Sequence, residues 1–90
     1  MTNTRIPLGQ VVITPNALSK ITRVEAIQAL MRHQAGDFGD LSEGDLEANL
    51  EALEIGERLL SAYNSKDGIR FWIITEWDRS VTTILLPEDY

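Results

Sequence analysis

The sequence predicts an α+β domain in which N-terminal helices pack on a C-terminal, three- to four-stranded antiparallel β-meander. Apolar residues recur at helical spacing in the first half of the chain, whereas from Arg58 onward they alternate with a period of two. Ninety residues are enough for one modest core and too few for two, so we predict a single domain. We expect an N-terminal arm or strand over residues 1–13, a helical half over 14–57 and the meander over 58–87.

The helical half contains two clear helix starts. A β-branched run from Gly9 to Ile13 predicts a short strand or extended arm, and Thr14-Pro15 then places a capping oxygen before a proline at the first helical position. Thr22-Arg23-Val24-Glu25 matches a capping box, in which each side chain satisfies the other residue's free amide. We expect this second helix to end near His33, before Gly36. Its apolar residues are Val24, Ile27, Leu30 and Met31.

A third helix is predicted from Ser42, with Asp45 completing its cap. Glycine and Asp residues between Gly36 and Asp40 predict the turn that precedes it. The apolar stripe of this helix is of the kind that packs against a core, and it consists of Leu46, Leu50 and Leu53.

The second half of the chain predicts three strands separated by two turns. The strands are expected at 58–63, 69–76 and 81–86, with a hairpin loop at 64–68 and a turn at 77–80. The hairpin loop ends in Asp-Gly, a common turn sequence, and Pro87 ends the last strand. Both faces of the strand over 69–76 carry bulky side chains, so we expect it to be central in the sheet.

Charge is concentrated in one segment, which we call the acidic block. It carries eight carboxylates and no Lys or Arg, and its members are Asp37, Asp40, Glu43, Asp45, Glu47, Glu51, Glu54 and Glu57. Within the third helix, Glu43/Glu47 and Glu47/Glu51 are like-charged i,i+4 pairs, each of which destabilises an isolated helix by roughly 0.2–0.5 kcal/mol. Two interpretations stay open at this point: an ordinary solvated face, or a recognition surface for a positively charged partner.

The composition of the chain argues against several classes of function. The chain has no cysteine, and its net charge of −6 argues against direct binding to a phosphate backbone. We find no apolar run of the length that a signal peptide or a membrane span needs. The oxygen cluster around Asp37 and Glu43 lacks the ligand order of a calcium loop. We therefore expect a cytoplasmic protein without metal, cofactor, membrane or direct nucleic-acid binding.

Several runs of the sequence resemble a family of small bacterial proteins described as plasmid-related or hypothetical. They are Gly-Asp-Phe-Gly-Asp-Leu (36–41), Arg-Leu-Leu-Ser-Ala-Tyr (58–63), Trp-Ile-Ile-Thr-Glu-Trp-Asp-Arg-Ser (72–80) and the ending Thr-Thr-Ile-Leu-Leu-Pro-Glu-Asp-Tyr. The resemblance covers about Gln10 to Tyr90. It implies a setting of plasmids, phages or integrated elements, where small acidic proteins inhibit host defence complexes.

This setting leads to the hypothesis of an inhibitor of the anti-CRISPR or anti-restriction type, acting by nucleic-acid mimicry. Spaced carboxylates would replace backbone phosphates and pair with Arg and Lys on a nucleic-acid-binding protein. The predicted partner-binding residues are Asp37, Phe38, Asp40, Glu43, Asp45, Glu47, Glu51 and Glu54. Asp37 and Asp40 have an alternative role in the turn, and Phe38 has one in the core.

Two alternatives come from the second half of the chain. The first is a small ribonuclease of the barnase or RelE type. Its candidate residues are Arg70 and Arg79 as phosphate clamps, Glu76 as base, His33 as acid, and Tyr63, Thr82 or Thr83 as helpers, against a structural salt bridge between Glu76 and Arg79. The second alternative is a homodimer or plain interaction module that uses Trp72 or Trp77, which fall on opposite faces of a regular strand.

Overall fold

The α+β class is confirmed by a computed structural model that describes residues 5–90, with the first four residues of the expected N-terminal arm outside the described residues. Its elements in chain order are β1 (Gln10–Ile13), α1 (Pro15–Lys20), α2 (Arg23–Gln34), α3 (Glu43–Ile55), β2 (Leu59–Asn64), β3 (Arg70–Thr75), β4 (Val81–Leu85) and a 3-10 turn (Pro87–Asp89).

The sheet is mixed, so the prediction of a wholly antiparallel sheet behind leading helices is wrong. Its strand order is β1-β4-β3-β2, and the expected meander β2-β3-β4 is antiparallel with β3 in its interior. β1 precedes the helices and lies parallel to β4. The N–H of Gln10 donates to the carbonyl of Ser80 at 2.9 Å, and that of Thr14 to the carbonyl of Ile84 at 3.0 Å. The helices and the meander that separate β1 from β4 provide the long connection that parallel strands require.

The predicted helix starts are confirmed by their capping contacts. Thr14 Oγ1 accepts the N–H of Ala17 at 3.1 Å, which fixes the first turn of α1 behind Pro15. Thr22 and Glu25 form both halves of the capping box, at 3.0 and 3.1 Å. The second carboxylate oxygen of Glu25 also accepts the N–H of Lys66 at 2.8 Å. The start of α2 is therefore tied to the β2–β3 loop.

One face of the sheet, the inner face, is covered by α1, α2 and the segment that leads into β1. The helices contribute mainly small side chains to this core, which lets them lie close to the sheet. The buried set is Ala17, Ile21, Ala26 and Ala29 from the helices, with Tyr63, Phe71, Ile73, Ile84 and Leu86 from the strands and their ends. A second buried cluster joins Ile6, Phe38, Ala52 and Leu59.

The apolar residues that periodicity singled out on α2 and α3 are largely exposed, contrary to the usual expectation for such stripes. On α2 the exposed members are Val24, Ile27 and Met31, and on α3 they are Leu46, Leu50 and Leu53. Both helices turn another face inward: Ala26, Ala29 and His33 on α2, and Asn49 and Ala52 on α3. The inward faces are smaller or more polar, so hydrophobicity alone selected the wrong side of each helix.

The orientation of α3 is set by Asn49, which pairs with the free edge of β2. Its Oδ1 accepts the N–H of Leu60 at 3.0 Å, and its Nδ2 donates to the carbonyl of the same residue. Farther along the edge, Ala62 donates its N–H to Phe38 O at 3.0 Å and accepts the N–H of Asp40 at 2.7 Å. The outward-pointing backbone groups of Leu60 and Ala62 are thus satisfied, and further strand pairing is blocked there.

A chain of buried hydrogen bonds crosses the sheet on its inner face. Thr82 Oγ1 donates to the carbonyl of Leu8 at 2.7 Å, so it must accept from Thr75, 2.8 Å away. Thr75 in turn accepts from Nε2 of His33 at 2.8 Å, which leaves Nδ1 to accept the hydroxyl of Ser61. With His33 neutral, every hydroxyl hydrogen of this chain has an acceptor.

We predict that replacing Asn49 by Leu lowers the free energy of unfolding by about 1–3 kcal/mol, because both backbone groups of Leu60 lose their partner. Leu has the higher helix propensity, which offsets only a few tenths of a kcal/mol of this loss. Urea denaturation measures the change. The matched control is Glu47→Gln on the exposed side of α3, expected within about 0.5 kcal/mol of wild type. Equal stability of the two variants would contradict the role assigned to Asn49.

We also predict that the protein loses stability as the pH falls below neutral. Burial, together with the nearby positive charge of Arg79, lowers the pKa of His33 from 6.5 to about 4. The unfolded chain therefore takes up the proton first, and the free energy of unfolding falls between about pH 6.5 and 4, by up to about 3 kcal/mol.

Because His33 is the chain's one histidine, its imidazole NMR signals can be followed without ambiguity. They should keep the shifts of the neutral Nε2–H tautomer down to about pH 5. A midpoint near pH 6.5 in the folded protein would show that the hydrogen-bond chain does not hold His33 neutral.

Candidate protein-binding surface

α3 presents a row of three exposed leucines beside four exposed carboxylates, and we call this surface the α3 face. It consists of Leu46, Leu50 and Leu53 with Glu43, Glu47, Glu51 and Glu54. Leu50, in the middle of the row, is 52% exposed. The four carboxylates form no ion pair within the described range 5–90.

Helix geometry explains why the leucines do not reach the core. Successive residues are rotated by about 100°, so Leu53, Leu46 and Leu50 lie roughly 40–100° from Asn49, on the side opposite Ala52. Asn49 faces the edge of β2, while Ala52 faces the buried cluster with Leu59. The leucine row is therefore turned toward the other side of the sheet, and the carboxylates lie farther around the helix.

Both ends of α3 are fixed by contacts outside the α3 face. Ser42 Oγ accepts the N–H of Asp45 at 3.2 Å, and Gly56, with φ of 77°, ends the helix in the left-handed conformation. No basic residue lies in the last turn of α3. Arg79 supplies the missing positive charge from the β3–β4 turn, donating to the carbonyls of Glu57 at 2.6 Å and Ala52 at 3.4 Å.

Two of the predicted partner-binding carboxylates have partners within the protein. Arg32 bonds to both carboxylate oxygens of Asp37, at 2.8 and 3.3 Å, and lowers the pKa of that carboxyl. Asp37 also accepts the N–H of Gly39 at 3.2 Å. Arg70 reaches across from β3 to Asp40 at 3.0 Å, and to its backbone carbonyl at 2.9 Å. These contacts give both residues a role in fixing the 36–40 turn.

Two more of the predicted partner-binding residues, Phe38 and Asp45, also have roles within the protein. Phe38 is only 4% exposed and packs edge-to-face on His33, with 6.0 Å between ring centroids, so it lies in the core. Asp45 is exposed in the first turn of α3, where its negative charge is favourable at the helix N-terminus. Sequence reasoning placed the apolar contact of the surface at Phe38. It missed Leu50 and its neighbours, and the one available indication was the polar Asn49 on the side opposite the carboxylates.

The residues considered for ribonuclease chemistry do not converge. His33 and Thr82 are fully buried in the hydrogen-bond chain. The Tyr63 hydroxyl donates to Asp37 O at 2.6 Å, and burial raises its pKa to about 12. Arg79 donates to the backbone carbonyl of Glu76 at 3.1 Å, so the predicted side-chain salt bridge between these residues is not formed. Within residues 5–90 these candidates are therefore not brought together around one cleft.

The two tryptophans take different environments. Trp72 is half-buried on the outer face of the sheet, where it contacts the ring of Tyr90 at 6.0 Å between centroids. Arg58 lies over the same tyrosine ring at 5.2 Å. Trp77 lies in the turn after β3 and is exposed. The two side chains do not combine into one aromatic surface.

Residues 5–90 also lack two other features. No group of three or more His, Asp or Glu side chains in this part of the chain is arranged to hold a metal ion. Nor does any helix there have the length and apolar character needed to cross a bilayer. Comparison with protein-family models, with curated proteins and with solved structures gives no match to this chain.

Proposed function

We propose that this protein is a protein-binding module that uses the α3 face to engage a basic, partly apolar surface of its partner. The observation that carries the proposal is the exposed row of Leu46, Leu50 and Leu53 beside carboxylates that form no ion pair within residues 5–90. Exposed apolar rows rimmed by polar residues are typical of interaction sites.

The charges next to the row define the chemistry of the partner. Asp37 and Asp40 form ion pairs with Arg32 and Arg70, whereas the α3 carboxylates form none within the described part of the chain. Arg and Lys on a partner would form charge-assisted hydrogen bonds with them and accelerate association. Lysine side chains of the partner would also cover the leucines, because their methylene groups pack on apolar surface while the ammonium groups stay in water.

The α3 face is held ready for binding by the contacts behind it. Asn49 fixes the rotation of the helix, Ser42 fixes its start, and Arg79 fixes its end. A partner therefore need not order this surface, which reduces the entropic cost of association. The same fixation keeps the leucines exposed, since turning them inward would unpair Leu60.

The narrower form of the proposal is an inhibitor that occupies the nucleic-acid-binding surface of a host defence protein. Carboxylates at i,i+4 spacing recur about every 6 Å along α3 and present a line of negative charge to an Arg- and Lys-rich groove. The leucines add an apolar contact that a phosphate backbone lacks. Such an inhibitor would gain affinity at positions of the groove that nucleic acid does not fill.

The first test reverses charge on the α3 face. Glu47→Lys/Glu51→Lys should abolish capture of the specific partner when immobilised protein is incubated with bacterial lysate and bound proteins are identified by mass spectrometry. The control is Asp67→Lys/Glu76→Lys, which changes the net charge equally at exposed sites outside α3. A protein retained by wild type and by the control, and lost from the α3 variant, supports the proposal. Loss from both variants, or from neither, contradicts it.

The second test separates the leucine row from the charges. Once the partner is purified, Leu50→Ser should weaken binding by about 1–3 kcal/mol, while the dependence of Kd on salt stays as in wild type. Calorimetric titration at two ionic strengths measures both quantities. The matched control is Val24→Ser on α2, at an apolar residue that is 63% exposed and lies outside the α3 face. If Leu50→Ser binds like wild type, charge alone forms the interface and the apolar part of the proposal is wrong.

A further inference from the structure

β1 is the edge strand on the side of the sheet opposite α3. Its backbone hydrogen-bonding groups point alternately toward β4 and away from it. Gln10 and Thr14 donate their N–H groups toward β4. In a strand the direction of these groups alternates, so the N–H and C=O of Val11 and Ile13 point away from β4. Within the described part of the chain, no further strand pairs with this side.

Charge, proline and bulges, which commonly prevent strand addition, are missing from β1, although the strand is short. Its four residues, Gln10–Ile13, include no charge and no proline, and its pairing with β4 runs without a bulge. The opposite edge is blocked by Asn49 and by the segment 38–40. One edge of the same sheet is thus closed by dedicated contacts and the other is open.

An apolar groove of about 250 Å³ lies beside the open edge. β1 forms one wall with Val11 and Ile13, while α1 and α2 form the other with Leu18, Ile21 and Ile27. Leu18 is 59% exposed and Ile27 is 50% exposed. Among residues 5–90, Arg23 at the start of α2 is the one charged residue that lines the groove. Hydrogen-bonding capacity and apolar surface therefore occur together.

We propose that this edge binds a second copy of the chain, with the two β1 strands antiparallel about a two-fold axis at Val12. This register places Val11 opposite Ile13 of the partner subunit, and Ile13 opposite Val11 of the partner subunit. Each pair exchanges two backbone hydrogen bonds, so the interface contains four. Val12 meets its own copy on the outer face, and the result is one continuous eight-stranded sheet.

Self-complementarity favours a second copy over a different partner. The register pairs every apolar side chain of β1 with another apolar side chain, and the two-fold axis brings the two grooves together. On the inner face, Leu18 and Ile27 lie next to the same residues of the second copy, where their exposed surface can be buried. An unrelated extended peptide would have to supply these apolar groups at the same spacing.

The charge distribution also permits this association. Each copy has a net charge of −6, and five of the eight carboxylates of the acidic block lie on α3, beyond the β2 edge. In the dimer the two β2 strands are seven strand spacings apart, or about 34 Å. This is several times the Debye length of about 8 Å at physiological ionic strength, so repulsion between the acidic helices is screened.

Sedimentation equilibrium tests the proposal. Wild type should be dimeric, and Val12→Lys should raise the dimer dissociation constant by about a hundredfold or more, because two ammonium groups would meet at the two-fold axis. Val12 is 39% exposed, so the substitution is compatible with the folded monomer, which circular dichroism verifies. Val12→Thr, which keeps the β-branched shape and adds no charge, should remain dimeric.

A second control places the same charge outside the interface. Val24→Lys, on the exposed side of α2, should dimerise like wild type. A wild type that stays monomeric up to about 0.5 mM would overturn the proposal, and would leave an extended peptide as the occupant to test next. A dimer that survives Val12→Lys would overturn it too, by placing the contact elsewhere. Neither result bears on the α3 face, which lies at the other edge.

Discussion

The pairing of Asn49 with both backbone groups of Leu60 is the constraint on which the arrangement of this protein depends. A primary amide matches a peptide group, with one donor and one acceptor side by side, and it thus takes the place of a further strand. The contact closes the β2 edge and at the same time fixes the rotation of α3. Once the polar side chain occupies the inward position, the leucines of the same helix have no route to the core.

The inward position of a polar residue, with leucines of the same helix left exposed, also limits what can be predicted from sequence. Local chemistry identified the helix starts correctly, because Thr14, Thr22 and Ser42 act on amides three residues away. The meander followed from a period of two and from its turns. The parallel position of β1 could not be predicted, since no feature of four β-branched and polar residues specifies which strand they join.

The buried faces of the helices were harder to predict for a related reason. A hydrophobic stripe predicts burial only when the alternative face is less suited to the core, and here alanines and one amide fit better than leucines. The same limit applied to the acidic block. Its first two members, Asp37 and Asp40, form ion pairs with Arg32 and Arg70, and Arg70 lies thirty residues away from Asp40 in sequence. Only the contacts distinguish these structural carboxylates from those left exposed on α3.

The hydrogen-bond chain through His33 restricts the residues that can occupy its four positions. Four side chains from three strands and a helix pass hydrogens in one direction, from Ser61 at one end to the carbonyl of Leu8 at the other. Replacing any one of them by an apolar residue leaves its neighbours unpaired, and restoring balance requires a second replacement. A substitution at one of these sites should therefore be compensated during evolution by a substitution at a neighbouring site of the hydrogen-bond chain, so that positions 33, 61, 75 and 82 vary together.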